Sequence, residues 1–139
     1  MFKIFRNPSA FHGGIFYFRT IILMMFLFCA LNSFSQPQLT LTENKKNFGH
    51  VQRGTVVKND YEITNTGNSP LVINDVEIAC SCTTVDYPKQ PILPGQKTTV
   101  TVTFNTTTVY GRQDRIVWLN SNDPKGPHSL RYKGSVSKK

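Results

Sequence analysis

The chain has 139 residues, room for one domain and not two. Apolar residues make up 39% and charged residues 17%, which excludes a polar disordered tail and a fibrous repeat. The net charge of +8 overstates the basic character of the domain: three of the 16 basic residues (Lys3, Arg6 and Arg19) stand in a leader without acids, leaving 13 against 8, or +5, from Gln36 onward.

Those three cations precede an unbroken apolar run over residues 21–31. A run of about a dozen residues is short of the roughly 20 that span a bilayer. Ser33-Phe34-Ser35 then offers small residues where a signal peptidase reads. Residues 1–35 therefore read as a signal peptide cut between Ser35 and Gln36. Basic residues ahead of an apolar core also match the positive-inside bias of an exported chain. The competing reading is an uncleaved signal anchor, with residues 16–18 lengthening the run. Cys29 lies inside the run behind Phe28, not at its end behind a small residue. It reads as leader filler and not as a lipid-modified cysteine. Residues 36–139 are then one exported domain in the periplasm or at the cell surface, with no permanent membrane span.

The mature chain shows no helix-length apolar stripe at 3.6 spacing. It shows short β-branched and aromatic runs between turn residues. Residues 38–42 put Leu39 and Leu41 on one face. Residues 56–65 put Val57, Tyr61 and Ile63 on one face. The turn cluster 65–70 follows, Asn-Thr-Gly-Asn-Ser-Pro. In residues 71–78, Leu71 and Ile73 share a parity that Val76 and Ile78 do not; a bulge near Asn74-Asp75 would restore one register. Pro91 to Gly95 is a loop, with Pro94-Gly95 suited to a type II turn. Residues 97–105 alternate cleanly, Val100, Val102 and Phe104 against Thr99, Thr101 and Thr103. That predicts a half-buried antiparallel strand with a hydroxyl-lined outer face. Residues 114–120 hold Ile116-Val117-Trp118-Leu119, apolar on both parities, which predicts a central strand with Trp118 in the inter-sheet core. After the turn 122–127, residues 129–136 place Leu130, Tyr132 and Val136 on one face. Some six or seven short strands at regular spacing predict a single antiparallel β-sandwich of immunoglobulin type, a small barrel being the runner-up. Nothing alternates strand with helix as a parallel sheet requires.

The order of the turn motifs resembles a known family. Phe48-Gly49-His50-Val51 leads to Gly54, then to Ile63-Thr64-Asn65-Thr66-Gly67 and Pro70-Leu71-Val72-Ile73. Cys80-Ser81-Cys82-Thr83, Ile92-Leu93-Pro94-Gly95 and Ser121-Asn122 continue the pattern. In these residues the chain resembles the secreted bacterial family called domain of unknown function 1573. That family is similar to the immunoglobulin-like domains of Hydin and of cilium and centrosome proteins. Here Ser81 stands between the cysteines where the family more often has glycine. The resemblance implies an exported single sandwich and no established reaction. Independently of it, Asn65 can bond its own downstream backbone, and Gly67 can take a positive φ.

Chemistry is sparse. Gly-x-Ser-x-Gly, His-Glu-x-x-His and phosphate-binding glycine loops are all absent. His50 and His128 are the histidines of the mature chain, and sequence brings neither to a nucleophile. Asp75 and Glu77 read as a solvated acidic edge. Asn105-Thr106-Thr107 fits the N-glycosylation pattern, which matters only in a eukaryotic secretory pathway. Lys45, Lys46 and Arg53 form one basic cluster, and Lys133, Lys138 and Lys139 another. Export argues against nucleic acid as a partner. These clusters read as a solvated surface with weak attraction to anionic lipid or glycan.

Cys80 and Cys82 are the concentrated chemical feature. Side chains at i and i+2 of an extended segment share a face. An oxidised pair suits an exported protein. Its three-residue ring supplies only about 1.6 kcal/mol of loop entropy, against roughly 3 for a 15-residue loop. Two thiolates also suit Cu(I) or half a zinc site, although no methionine survives processing. The third reading is plain packing at a strand end. The expected function is a non-enzymatic binding or structural module of the bacterial envelope, without cofactor, whose partner is another envelope protein or a glycan. The alternative is a thiol-redox or copper-handling protein built on Cys80 and Cys82.

Overall fold

Alternation at period two decides which side chains meet, and the turn residues decide where each strand stops. The computed structural model describes Ile21, Ile22 and residues 35–138. The apolar run beyond Ile22, with Cys29 inside it, lies outside the described residues. Residues 35–138 carry eight strands: β1 Leu39–Leu41, β2 Lys45–Gln52, β3 Val56–Asn65, β4 Ile73–Ile78, β5 Thr83–Asp86, β6 Lys97–Asn105, β7 Gly111–Ser121 and β8 His128–Ser137. They form two four-stranded sheets, ordered β1-β3-β6-β5 and β2-β8-β7-β4. The predicted immunoglobulin-like sandwich is what the chain forms. Every strand pairing is antiparallel except β2 with β8, which is parallel.

β3 and β6 have the bounds expected from the sequence, and they run side by side over their whole length. The bulge expected near Asn74-Asp75 is present: the β4–β7 register shifts between Ile73 and Asp75. β2 and β5 were not expected as strands. β2 opens on two lysines and carries a glycine, and a bulge between Asn47 and Gly49 breaks its alternation. β5 has only four residues, Thr-Thr-Val-Asp.

The core fills the space between the sheets. Tyr61, Ile63, Val100, Val102 and Phe104 come from one sheet, and Val117, Leu119, Leu130 and Tyr132 from the other. Phe48, Phe104 and Tyr132 form an aromatic triangle with ring centroids 5.3–6.5 Å apart. A Cβ on Gly134 would collide with the Phe48 ring, so the absence of a side chain there lets that ring lie across β8. The two buried phenols tie the layers reciprocally. Tyr61 donates to the Arg131 carbonyl at 2.9 Å, and Tyr132 and Thr83 share a hydrogen bond of 2.7 Å. Burial raises the pKa of both phenols.

Two expectations need correction. Trp118 is not in the core: it is 41% exposed, on the outer face of β7. Val117 and Leu119 point inward, so Ile116 and Trp118 point out, and a two-layer sandwich has no third layer to cover them. Gly67 does not take a positive φ. A Cβ there would collide with the backbone of residues 36–38, so Gly67 serves close approach. Pro94-Gly95 behaves as expected: Gly95 has φ 76° and Gln96 N–H bonds the Leu93 carbonyl at 2.9 Å.

Two buried polar residues fasten the N-terminal strand. Asn65 donates to the carbonyls of Ser69 and Ile92 and accepts from Gly67 N–H and, at 3.4 Å, from Gln38 N–H just ahead of β1. Asp123 accepts from Leu39 N–H and Lys125 N–H, each at 2.8 Å, and meets His128 Nε2 at 2.9 Å. Burial opposes ionisation of Asp123, but those backbone donors and the His128 ring outweigh it and lower its pKa.

Candidate functional site

β4 leaves the second sheet at Ile78, and β5 enters the first at Thr83, so the cysteines occupy a tight crossover between layers. The sulfurs of Cys80 and Cys82 are joined, with Cα atoms 5.2 Å apart. Cys82 N–H points at Cys80 Sγ at 3.0 Å, and Thr83 N–H bonds the Cys80 carbonyl at 3.1 Å. The Cys82 carbonyl accepts from Asn105 N–H at 2.8 Å, anchoring the turn on β6. Both cysteines are half-buried, and Cys82 packs against the core. An open hollow lined by Ser81, Cys82, Asn105 and two threonines lies alongside. Among the described residues no cluster of three or more His, Cys, Asp or Glu could hold a metal. The arrangement can therefore do two-electron thiol chemistry at the surface, with the backbone held from both sides.

The histidines do not meet. His50 is exposed on β2, while His128 is spoken for by Asp123. Thr99, Thr101 and Thr103 do line the outer face of the first sheet. Thr101 donates to Asp60 at 2.7 Å there, and Lys97 pairs with Glu62 at 3.0 Å. The Lys97 hydrogen bond holds the Glu62 carboxyl below its ordinary value. The middle of that face is polar and internally paired, while Val56 at the start of β3 is 53% exposed.

The outer face of the second sheet is different. Trp118 stands opposite Glu77 of β4 and Ser129 of β8. Glu77 accepts from the Asn120 amide at 2.8 Å. Ile116 is 38% exposed and Ile78 43%. Glu77, Ile116 and Trp118 line a shallow hollow of about 400 Å³ together with Ile78 and Ala79, where the edge strand β4 ends. A smaller one, of about 140 Å³, shares Asp114 with it and is otherwise lined by Lys45, Lys46, Arg112, Arg131 and Lys133. Arg131 grips Asp114 through two bonds, Nε at 2.7 Å and Nη2 at 2.6 Å. That contact lowers the Asp114 pKa and raises that of Arg131.

The parallel β2–β8 pairing thus brings Lys45 and Lys46 beside Arg131 and Lys133, two clusters far apart in the chain. It does not bring in Arg53, which bonds the Thr107 carbonyl, or Lys138, which lies over the Tyr110 ring. Sequence reasoning missed Ile116, Trp118, Arg112 and Arg131 as surface residues. The signal was there: in a two-layer sandwich, a strand apolar on both parities must expose one apolar row.

A two-layer sandwich of this topology belongs to the immunoglobulin-like class. It is similar to a protein of unknown function from Porphyromonas gingivalis W83, with a TM-score of 0.66 and 21% identity over 78% of this chain and 50% of that one. This chain therefore spans half the length of that protein. It is also similar to PapD-like domain 7, an ASH domain, of human CEP192, with a TM-score of 0.53 and 13% identity over 76% of this chain and 87% of that one. A third likeness is to the VesB protease of Vibrio cholerae, at 0.53 and 14%, over 87% of this chain and 35% of that one. At these identities the likeness concerns the fold alone. No curated protein matches the chain. The profile of the family described as protein of unknown function, DUF1573, matches residues 39–136, and the chain belongs to that family.

Proposed function

We propose that the chain is an exported, non-enzymatic binding or structural module of the bacterial envelope, released by cleavage between Ser35 and Gln36 into the periplasm or onto the cell surface. The observation that carries the binding part is the exposed apolar row on β7. Ile116 and Trp118 remain open beside Ile78, and an uncovered apolar patch rimmed by polar residues marks an interaction site. Export is supported by the short apolar run behind Lys3, Arg6 and Arg19. The partner is another envelope protein or a glycan, held by a flat sheet face and not by a deep cleft.

Cell fractionation with N-terminal mass analysis tests the export, and retention of envelope material on immobilised protein tests the binding. The expected result is a chain starting at Gln36 in the envelope fraction, retaining a component that Trp118→Ala releases. An intact Met1 in the cytosol, with nothing retained, contradicts the reading.

A second reading is favoured by the joined sulfurs at the surface turn. A thiol-redox protein would take two electrons and two protons from an incoming dithiol, opening the Cys80–Cys82 bond and leaving the donor as a disulfide. The opened pair would then offer two thiolates to Cu(I). Cys80→Ser with Cys82→Ser discriminates. An unchanged phenotype favours the module, and loss of activity with the fold intact favours thiol chemistry.

A further inference from the structure

We infer that the outer face of β2-β8-β7-β4 binds an anionic polysaccharide, with Trp118 stacking on a sugar ring and the cluster around Arg131 taking the acidic groups. The inference rests on the binding-module reading and names its ligand class. Three observations converge.

The first is charge. Lys45, Arg112, Arg131 and Lys133 surround a single carboxylate, Asp114. Arg131 satisfies both oxygens of that carboxylate. Lys45, Arg112 and Lys133 have no ion-pair partner among the described residues, so the cluster carries excess positive charge. A polyanion is its complement.

The second is the chemistry around the ring. Trp118 presents an amphipathic surface with Glu77 and Asn120 beside it and Ser129 across from it. Hydroxyl-rich ligands need such acceptors and donors around an apolar platform. A lipid surface does not, because a carboxylate pressed into the acyl boundary is costly. An extended peptide is also a poor fit. Main-chain pairing is open to an extended peptide only along residues 111–116 of β7, past the end of β4; at Trp118 the strand is paired on both sides, so a peptide laid over the ring gains no main-chain bonds.

The third is length. Asp114 lines both hollows and so joins the cationic region to the Trp118 region. Asp114 and Trp118 are four residues apart on one face of β7, which is roughly 13 Å along the strand. A linear ligand lying along β7 meets both regions, and a free monosaccharide meets only one.

Trp118 is the sole tryptophan, so its fluorescence reports the site directly. The test titrates the purified protein with polygalacturonate, with neutral dextran and with phosphatidylglycerol vesicles. The expected result is a saturable emission change with polygalacturonate that weakens as salt rises and is absent with dextran. Calorimetry on variants then reads each half of the face. Trp118→Ala and the pair Arg112→Gln with Lys133→Gln should each weaken binding at least about tenfold. Melting curves matching the parent establish that these variants are folded. A response to vesicles but not to polygalacturonate overturns the saccharide in favour of a lipid surface. Binding that survives Trp118→Ala overturns the assigned face. If no polymer binds but Trp118→Ala still releases an envelope protein, the saccharide inference fails and the module reading stands. If nothing binds and the protein is cytosolic, both fail.

Discussion

On the inner side of β7, Val117 and Leu119 are 1% and 0% exposed; on its outer side, Ile116 and Trp118 keep 38% and 41%. These four residues are consecutive, and composition does not distinguish them. What separates them is whether a second layer lies over the face. The inner pair is covered by the β1-β3-β6-β5 sheet and serves stability. Among the described residues nothing lies over the outer pair, so their packing does not explain its apolar area. The outer face of the first sheet sharpens the contrast. Away from Val56, exposed at the start of β3, it is built from threonines and carboxylates that already bond one another, such as Thr101 with Asp60. One outer face is self-satisfied, and the other is left open.

The contrast makes graded predictions. Phe104 is fully buried and stands in the aromatic triangle, so Phe104→Ala should cost about 3–5 kcal/mol in a denaturant melt. A loss below about 1 kcal/mol would move the core elsewhere.

Asp123 comes next. Asp123→Asn removes charge from a buried acceptor of two backbone N–H groups and should cost about 2 kcal/mol near neutral pH. Its folded pKa is depressed, so the folded state holds its proton less tightly than the unfolded state. That stability is present above the ordinary carboxyl value of about 3.9 and is lost as pH falls below it. The gap between parent and variant should therefore close on acidification. A gap that stays constant down to the acid transition contradicts the clamp.

Cys80→Ser with Cys82→Ser should cost at most about 2 kcal/mol, because the ring is small. Failure to fold would make the pair a structural necessity. The smallest change belongs to Trp118→Ala, within about 1 kcal/mol of the parent, although it removes the largest side chain in the molecule. A loss comparable to that of Phe104→Ala would erase the difference between the two faces.

Most of the fold was legible because period-two alternation is a local property. β3 and β6 could be bounded from Val57, Tyr61 and Ile63 and from Val100, Val102 and Phe104. The β4 bulge showed itself as a parity break between Ile73 and Val76. β2 was hidden because a bulge at Phe48 scrambles its alternation, and its pairing with β8 spans most of the domain. Trp118 was misplaced because two-sided apolarity was taken to mean two-sided burial. That inference holds for a sheet covered on both faces and not for a two-layer sandwich. The cysteine pair was visible as a motif, but where its turn sits was not. The cationic cluster was visible only as two separate basic groups, Lys45, Lys46 and Arg53 and the C-terminal lysines, since register alone joins Lys45 to Arg131.

The most direct test of the open outer face is quenching of the native protein's tryptophan fluorescence by iodide and by caesium. Trp118 is the only tryptophan, so the signal has one source. An exposed indole should emit like a solvated ring and be quenched by both ions. A blue-shifted emission shielded from both ions would put Trp118 in the interior and contradict the account.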